Sequence, residues 1–398
     1  MDMVDINNIK KITIVGAGTM GHEIAQICLM AGYPKVFLND ISSQALERAR
    51  LKISSGLNTL ENKGRLKKQF TAESLMENLQ IVFDLKRAVS DADFVIEAIP
   101  EKMDLKQNLF QKFGELTPEK AILATNTSTM SISEIGAKSG KLDKVVGMHF
   151  FTPIVVLQLI EVIKGKETSE KTMELTSTLG KSLPALRGKR VIAMVEKESP
   201  GFIVNRLTIA GSMYLNWLLD YAYDNKIPFE SIDADVGAHG KFGPCAKWDY
   251  LGLDTIYNSF KYFEQVLSSD FAPGKVLTML VKENNLGKKT GKGICEWTDE
   301  GTLIDKDVKK ANLFDSELFM ALQLNEGCRL LEEGIVSNYK IIDDAMLAGM
   351  TMPGPFGPGK RNYKKWCELL NNFADKSGKE YFRPCALMKS GDFLKMRK

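Results

Sequence analysis

The stretch Lys11-Ile-Thr-Ile-Val15, followed at once by Gly16-Ala-Gly-Thr-Met-Gly21, limits the folds open to this 398-residue chain more than any other. A short β-branched strand runs into glycines spaced G-x-G-x-x-G, and the apolar pattern predicts an amphipathic helix over 20–31. A second strand, Lys35-Val-Phe-Leu-Asn39, ends on an acid, Asp40, about twenty residues after the glycines. Each part has its own physical reason. Gly16 allows a tight turn, Gly18 lets the backbone approach a pyrophosphate, and Gly21 lets the helix lie close to the strand. The free N–H groups of the helix start, around Thr19 and Met20, suit the phosphates. Asp40 would accept from both ribose hydroxyls and repel a 2′-phosphate. No arginine follows it (Ile41-Ser-Ser43), so the expected cofactor is NAD rather than NADP.

The pattern then repeats. The spacing predicts a long charged helix over 43–64. The basic cluster Lys63, Arg65, Lys67 and Lys68 reads as a solvated helix face, or as a contact for an anionic ligand. Ala92-Asp-Phe-Val-Ile-Glu-Ala98 is the next buried strand, broken by Pro100-Glu101, and a helix carrying Lys106 follows. The strand Ala121-Ile-Leu-Ala124 leads into the polar loop Thr125-Asn-Thr-Ser128. Asn126 and Ser128 therefore fall at the carboxyl edge of a parallel sheet, where open α/β folds bind ligands. Ser128 also fits the cap of a short helix over 131–137.

Histidine is scarce, with only His22, His149 and His239. His149 closes the apolar run Val145-Val-Gly-Met148, and Thr152-Pro153 stops it, which places the imidazole at a sheet edge within reach of a ligand. A second apolar run, 154–163, carries one acid, Glu161. A buried carboxylate needs a partner, and His149 is the nearest candidate. An imidazole oriented by a carboxylate is a usable base near neutral pH. The same two residues also fit a satisfied core histidine and an acid facing water.

The rest of the chain becomes helical. A helix over 169–179 and a strand Val191-Ile-Ala-Met-Val195 precede the hinge Glu198-Ser-Pro-Gly-Phe202, and a broad apolar helix is predicted over 203–223 with Asn205 in its first turn. Two later segments resemble each other. One runs from Asn205 through Ile232-Asp-Ala-Asp235 to Gly243-Pro244 and Gly252-Leu-Asp254, the other from Leu318 through Ile341-Ile-Asp-Asp344 to Gly349, Pro353 and Gly357-Pro358. They read as two copies of one helical unit rather than a solenoid. Between them lies a basic glycine loop, Gly287-Lys-Lys-Thr-Gly-Lys-Gly293, and the residues from Met388 read as a loose tail.

The net charge of +3 is nearly balanced, so no nucleic-acid or membrane surface is expected. Six scattered cysteines without a Cys-x-x-Cys point to a reducing, cytoplasmic compartment and to no bound metal. The polar start, 1–11, has no apolar signal segment, and no run reaches membrane-spanning length.

Together these motifs resemble the L-3-hydroxyacyl-CoA dehydrogenase family over nearly the whole chain. They are the glycines at 16–21, Glu97-Ala-Ile-Pro-Glu101, Asn126-Thr-Ser128, His149-Phe-Phe, Glu161, Ser199-Pro-Gly-Phe-Ile-Val-Asn-Arg206, Gly252-Leu-Asp254 and Gly287-Lys-Lys-Thr-Gly291. The fold the resemblance implies is an α/β Rossmann-type domain over 1–199, followed by all-α C-terminal domains over 200–300 and 301–398. The implied reaction is NAD-dependent oxidation of a (3S)-3-hydroxyacyl-CoA, as in fatty-acid β-oxidation. The resemblance puts the general base on His149, its orienting acid on Glu161, and substrate contacts on Ser128 and Asn205. It puts cofactor contacts on Gly16, Gly18, Thr19, Met20, Gly21, Asp40, Ala98, Glu101, Lys106, Asn126 and Lys289, with no metal ligand. The doubled helical half is similar to multifunctional fatty-acid oxidation proteins, where the second unit takes the place of a partner subunit, so a monomer or an alternative homodimer is expected. Two other readings share the motifs: a free hydroxyacid dehydrogenase of the L-gulonate type, and a non-catalytic NAD-binding protein like the crystallins of this family. The chain departs from the family at Thr152, where asparagine is usual, at the longer link holding Arg187-Gly-Lys-Arg190, and at the turn Gly240-Lys-Phe-Gly-Pro244.

Overall fold

Runs of β-branched and apolar residues with no polar alternation are the mark of strands buried on both faces, and the chain uses them to build one sheet. The structure, a computed structural model, describes residues 9–237, 242–306 and 308–397; His239 and the start of the Gly240–Pro244 turn lie outside these. The strands are β1 (Lys11–Val15), β2 (Lys35–Asn39), β3 (Leu79–Val82), β4 (Phe94–Glu97), β5 (Ile122–Thr125), β6 (Val145–Phe150), β7 (Leu159–Ile163) and β8 (Val191–Val195). They form an eight-stranded sheet in the order β3-β2-β1-β4-β5-β6-β7-β8. Every neighbouring pair is parallel except β6 and β7, which run antiparallel with His149 directly opposite Glu161. Helices Thr19–Ala31 and Glu170–Ser182 lie against this sheet, Ser43–Asn62 packs on Thr19–Ala31, and Ile12, Ile14, Ile24, Leu38, Ile96, Met148 and Ile160 belong to the core.

The chain divides into two compact units. Among the described residues, the first holds 9–205 together with a later stretch, 333–354. That stretch carries the helix Tyr339–Met350, which lies against β7 and β8. Gly349 permits the contact, since a Cβ there would stand 2.7 Å from a methyl of Leu159. Backbone bonds from Gln158 N to Ala348 O (3.2 Å) and from Glu196 N to Ile335 O (2.8 Å) fasten it.

The second unit holds 206–332 and 355–397, and pairs of similar contacts occur along the helical part of the chain. Asn216 Oδ1 accepts from Gly274 N at 2.9 Å, and Asn325 Oδ1 accepts from Cys385 N at 2.8 Å. In each case the donor is the N-cap residue of a following helix, Lys275–Lys282 or Ala386–Ser390. The aspartates match as well: Asp233 sits against Gly243, and Asp343 against Gly354, so closely that a Cβ on either glycine would clash. Gly354-Pro355 thus stands to Asp343 as Gly243-Pro244 stands to Asp233.

Three expectations need correction. The helix Ser43–Asn62 ends before the basic cluster, so Lys63 caps it and Arg65, Lys67 and Lys68 lie in the following loop rather than on a helix face. The short helix Ile132–Gly136 is capped by Ser131, whose hydroxyl accepts from Glu134 N, and not by Ser128. The tail is not loose, because Met388 and Phe393 are fully buried and Phe393 meets the rings of Phe356 and Tyr363, each 5.5 Å away.

One buried ion pair dominates the second unit. Arg206 Nε donates to Glu326 Oε1 with both side chains 1% exposed, and Arg329 and Tyr381 also donate to Glu326, each at 2.9 Å. Burial pushes the Glu326 carboxyl up, but Arg206 and then Arg329 pull harder, so the net direction is down. A depressed folded-state pKa stabilises above the ordinary glutamate range and loses that stabilisation as pH falls through the lower value. Arg206→Met should therefore lower stability by about 3 kcal/mol, read as the urea midpoint at neutral pH. The deficit should shrink on acidification below the usual glutamate range.

Candidate active site

The glycine loop has the shape its spacing demands. Gly16 sits at φ +109°, where an added Cβ would meet the Ala98 carbonyl oxygen at 2.4 Å. A Cβ on Gly21 would stand 1.8 Å from the Gly16 oxygen, whereas one on Gly18 would meet nothing within 4 Å. The open side of Gly18 and the uncapped start of the helix Thr19–Ala31 leave a cradle of backbone N–H groups that suits a pyrophosphate. Asp40 is set by two backbone donors, Ala17 N at 2.7 Å and Ser42 N at 2.8 Å. Each carboxylate oxygen keeps a lone pair for a ribose hydroxyl, so the residues present fit a dinucleotide.

At the carboxyl ends of β4 and β5 the side chains form a network. Glu97, fully buried, accepts from Ile99 N (2.7 Å), Lys106 Nζ (2.6 Å) and Thr125 Oγ1 (2.6 Å). Burial pushes its carboxyl up in spite of the nearby ammonium. Lys106, 1% exposed, also reaches Glu101 at 3.1 Å. Glu101 Oε1 in turn accepts from Thr127 Oγ1 at 2.9 Å and Ser128 N at 2.6 Å. Asn126 Oδ1 accepts from Phe150 N at 2.9 Å, which ties this loop to the residue after His149.

The histidine is held from the other side. His149 Nδ1 lies 2.7 Å from Glu161 Oε2, and Glu161 Oε1 accepts from Ile203 N (3.2 Å) and Val204 N (2.9 Å), where the helix Val204–Asp224 begins. The rings of Phe151 and Phe202 stand 4.5 and 5.9 Å from the imidazole. Asn205 Nδ2 donates to Ser128 O at 3.3 Å, so the asparagine from the helix start meets the serine loop.

Thus the first unit brings together His149, Glu161, Ser128, Asn205, Asn126, Glu101 and Lys106. The glycines with Thr19 and Met20, the Ala98 carbonyl and Asp40 gather at the ends of β1, β2 and β4. Lys289 belongs to the second unit, where it pairs with Asp254 at 2.5 Å. Sequence reasoning missed Glu23 and Arg190. Glu23 accepts from Ile154 N at 2.6 Å, and the Arg190 guanidinium donates to the carbonyls of Ile154, Leu157, Leu183 and Pro184. Neither follows a motif; Arg190 lay within the basic segment already marked as unusual. No group of side chains able to hold a metal occurs among the described residues, and no helix among them is long and apolar enough to cross a membrane.

Residues 11–197 match the NAD-binding domain of 3-hydroxyacyl-CoA dehydrogenase, and residues 201–297 match that family's C-terminal domain. The chain belongs to the 3-hydroxyacyl-CoA dehydrogenase family. It is accordingly an NAD-dependent oxidoreductase. The 3-hydroxybutyryl-CoA dehydrogenase of Clostridioides difficile is 34% identical over 296 residues, 72% of this chain and 99% of that protein. The mitochondrial hydroxyacyl-coenzyme A dehydrogenase of Rattus norvegicus is 33% identical over 302 residues, 73% of this chain and 91% of its own length. Among solved structures, the 3-hydroxybutyryl-CoA dehydrogenase of Escherichia coli K12 superposes with a TM-score of 0.81 at 25% identity, covering 97% of this chain and 99% of that one. It therefore extends over residues beyond 297 as well.

The Glu97–Lys106 pair offers a direct check. Lys106→Met should cost about 3–5 kcal/mol by leaving a buried carboxylate unpaired. Adding Glu97→Gln should recover most of that loss in a denaturant titration.

Proposed function

We propose that this chain oxidises a (3S)-3-hydroxyacyl-CoA to the 3-oxoacyl-CoA with His149 as general base, and the observation that carries this is the His149–Glu161 contact. A carboxylate accepts, so Nδ1 must carry the proton in the neutral ring, which leaves Nε2 with a lone pair. Glu161 cannot turn away, because its second oxygen is engaged by the two backbone N–H groups at the helix start. As His149 takes the hydroxyl proton the ring becomes an imidazolium, and the buried carboxylate beside it stabilises that charge. General-base assistance of this kind is worth about 10²–10⁴-fold.

Bound NAD supplies the acceptor for the hydride that leaves C3. The Gly16–Gly21 loop with Thr19 and Met20 would hold the pyrophosphate, Asp40 the adenosine ribose, and Ala98, Glu101, Lys106 and Asn126 the nicotinamide end, with Lys289 as the family's further cofactor contact. Ser128 and Asn205 orient the substrate oxygen, and orientation of this sort fixes which hydrogen departs. In this reading 1–199 bind the nucleotide, 200–300 complete the dehydrogenase, and 301–398 stand where single-copy relatives place a partner subunit. The acyl-CoA substrate is that named for the relatives, 3-hydroxybutyryl-CoA among them.

His149→Ala should lower kcat by about 10²–10⁴-fold while the NAD Kd, measured by fluorescence quenching, stays within about twofold. Asp40→Ala should weaken NAD and narrow the preference over NADP in the same titration. Assays of 3-hydroxyacyl-CoA esters beside free 3-hydroxy acids test the substrate class, and turnover of the free acids alone would exclude the CoA assignment.

A further inference from the structure

We propose that Glu23 is a positioning residue for this reaction, its carboxylate tying the segment that leaves the histidine strand to the helix that binds the cofactor. The proposal rests on the reaction assigned above. Glu23 belongs to the helix Thr19–Ala31, two residues beyond Gly21. Its Oε2 accepts from Ile154 N at 2.6 Å, and the Thr152 hydroxyl lies 3.3 and 3.4 Å from its two oxygens. A carboxylate only accepts, so both Thr152 and Ile154 donate to it.

These donors sit where β6 ends, Thr152 being three residues after His149 and one after Phe151. Phe151 stands 4.5 Å from the imidazole, so any shift of the segment reaches the ring through that contact. The same segment is held from its other side. Ile154 is fully buried, and its carbonyl accepts from Arg190 Nη2 at 2.9 Å. One residue thus has its N–H on Glu23 and its C=O on Arg190.

Arg190 spreads its guanidinium over four carbonyls, and burial lowers its pKa to about 10. It forms a wall rather than a link to the cofactor. Glu23 supplies the hydrogen bonds between the segment and the glycine-loop helix among the described residues, which makes it a residue through which a bound nucleotide and the base share one frame. It also gives Thr152 a role here: the hydroxyl donates to Glu23, a contact an asparagine would make only with its amide.

The test measures steady-state kinetics with (3S)-3-hydroxybutyryl-CoA and NAD for wild type, Glu23→Ala, Glu23→Gln, Thr152→Val and the double variant Glu23→Ala/Thr152→Val. Misplacement of catalytic groups by about 1 Å costs up to about 10²-fold, so Glu23→Ala should lower kcat about tenfold or more with both KM values within about twofold. Glu23→Gln should regain most of the loss, because its amide oxygen still accepts from Ile154. The double variant should be no worse than Glu23→Ala alone. A kcat for Glu23→Ala within about twofold of wild type, a raised KM at unchanged kcat, or additive losses in the double variant would each overturn the proposal. Wild-type inactivity on hydroxyacyl-CoA would instead overturn the reaction on which it rests, and the positioning role with it.

Discussion

Glu161 is a carboxylate with no exposure to water, in the middle of an apolar strand, and the structure around it is what makes that tolerable. An uncompensated buried charge is costly. Three donors meet this one: the His149 imidazole and the backbone N–H groups of Ile203 and Val204. The antiparallel turn from β6 to β7 exists in an otherwise parallel sheet, and it sets the acid opposite the histidine. The acid's other oxygen fixes where the long helix Val204–Asp224 begins. A single side chain thus connects β7 to the start of that helix and sets the tautomer of the imidazole.

The same device recurs along the sheet's carboxyl edge. Asp40 is caught by Ala17 N and Ser42 N, Glu101 by Ser128 N, and Glu23 by Ile154 N. Each acid satisfies a loop amide that has no strand partner. Loops carrying ligand-binding groups are commonly the least stable parts of a fold, and charge-assisted bonds are stronger than neutral ones. The edge is held rigid by carboxylates belonging to neighbouring elements rather than by the loops' own backbone pairing.

The helical part uses the same kinds of joint more than once. The Asn216–Gly274 and Asn325–Cys385 bonds, and the Asp233–Gly243 and Asp343–Gly354 approaches, lie where helices begin. The surroundings of those joints differ. Asp233 lies on the short helix Glu230–Asp235 and Asp343 on the longer Tyr339–Met350, which belongs to the sheet-containing unit and covers β7 and β8. Arg206 and Glu326 make the buried ion pair of the second unit.

The sequence by itself determined the features whose physics is local. The glycine spacing, the strand before it and the acid after it can be read in order, because a tight turn and a close helix approach depend only on neighbouring residues. Many helix and strand positions followed from periodicity to within a few residues, whereas the strand Leu79–Val82 did not. Tertiary structure decided which polar groups meet. Glu23 and Ile154 are 131 positions apart, Arg206 and Glu326 are 120 apart, and no periodicity links them. The burial of Phe393 and the helix that covers β8 were likewise settled only by packing. The reason is that a charge or a carbonyl finds its partner by where the chain returns in space, and local sequence does not encode that return.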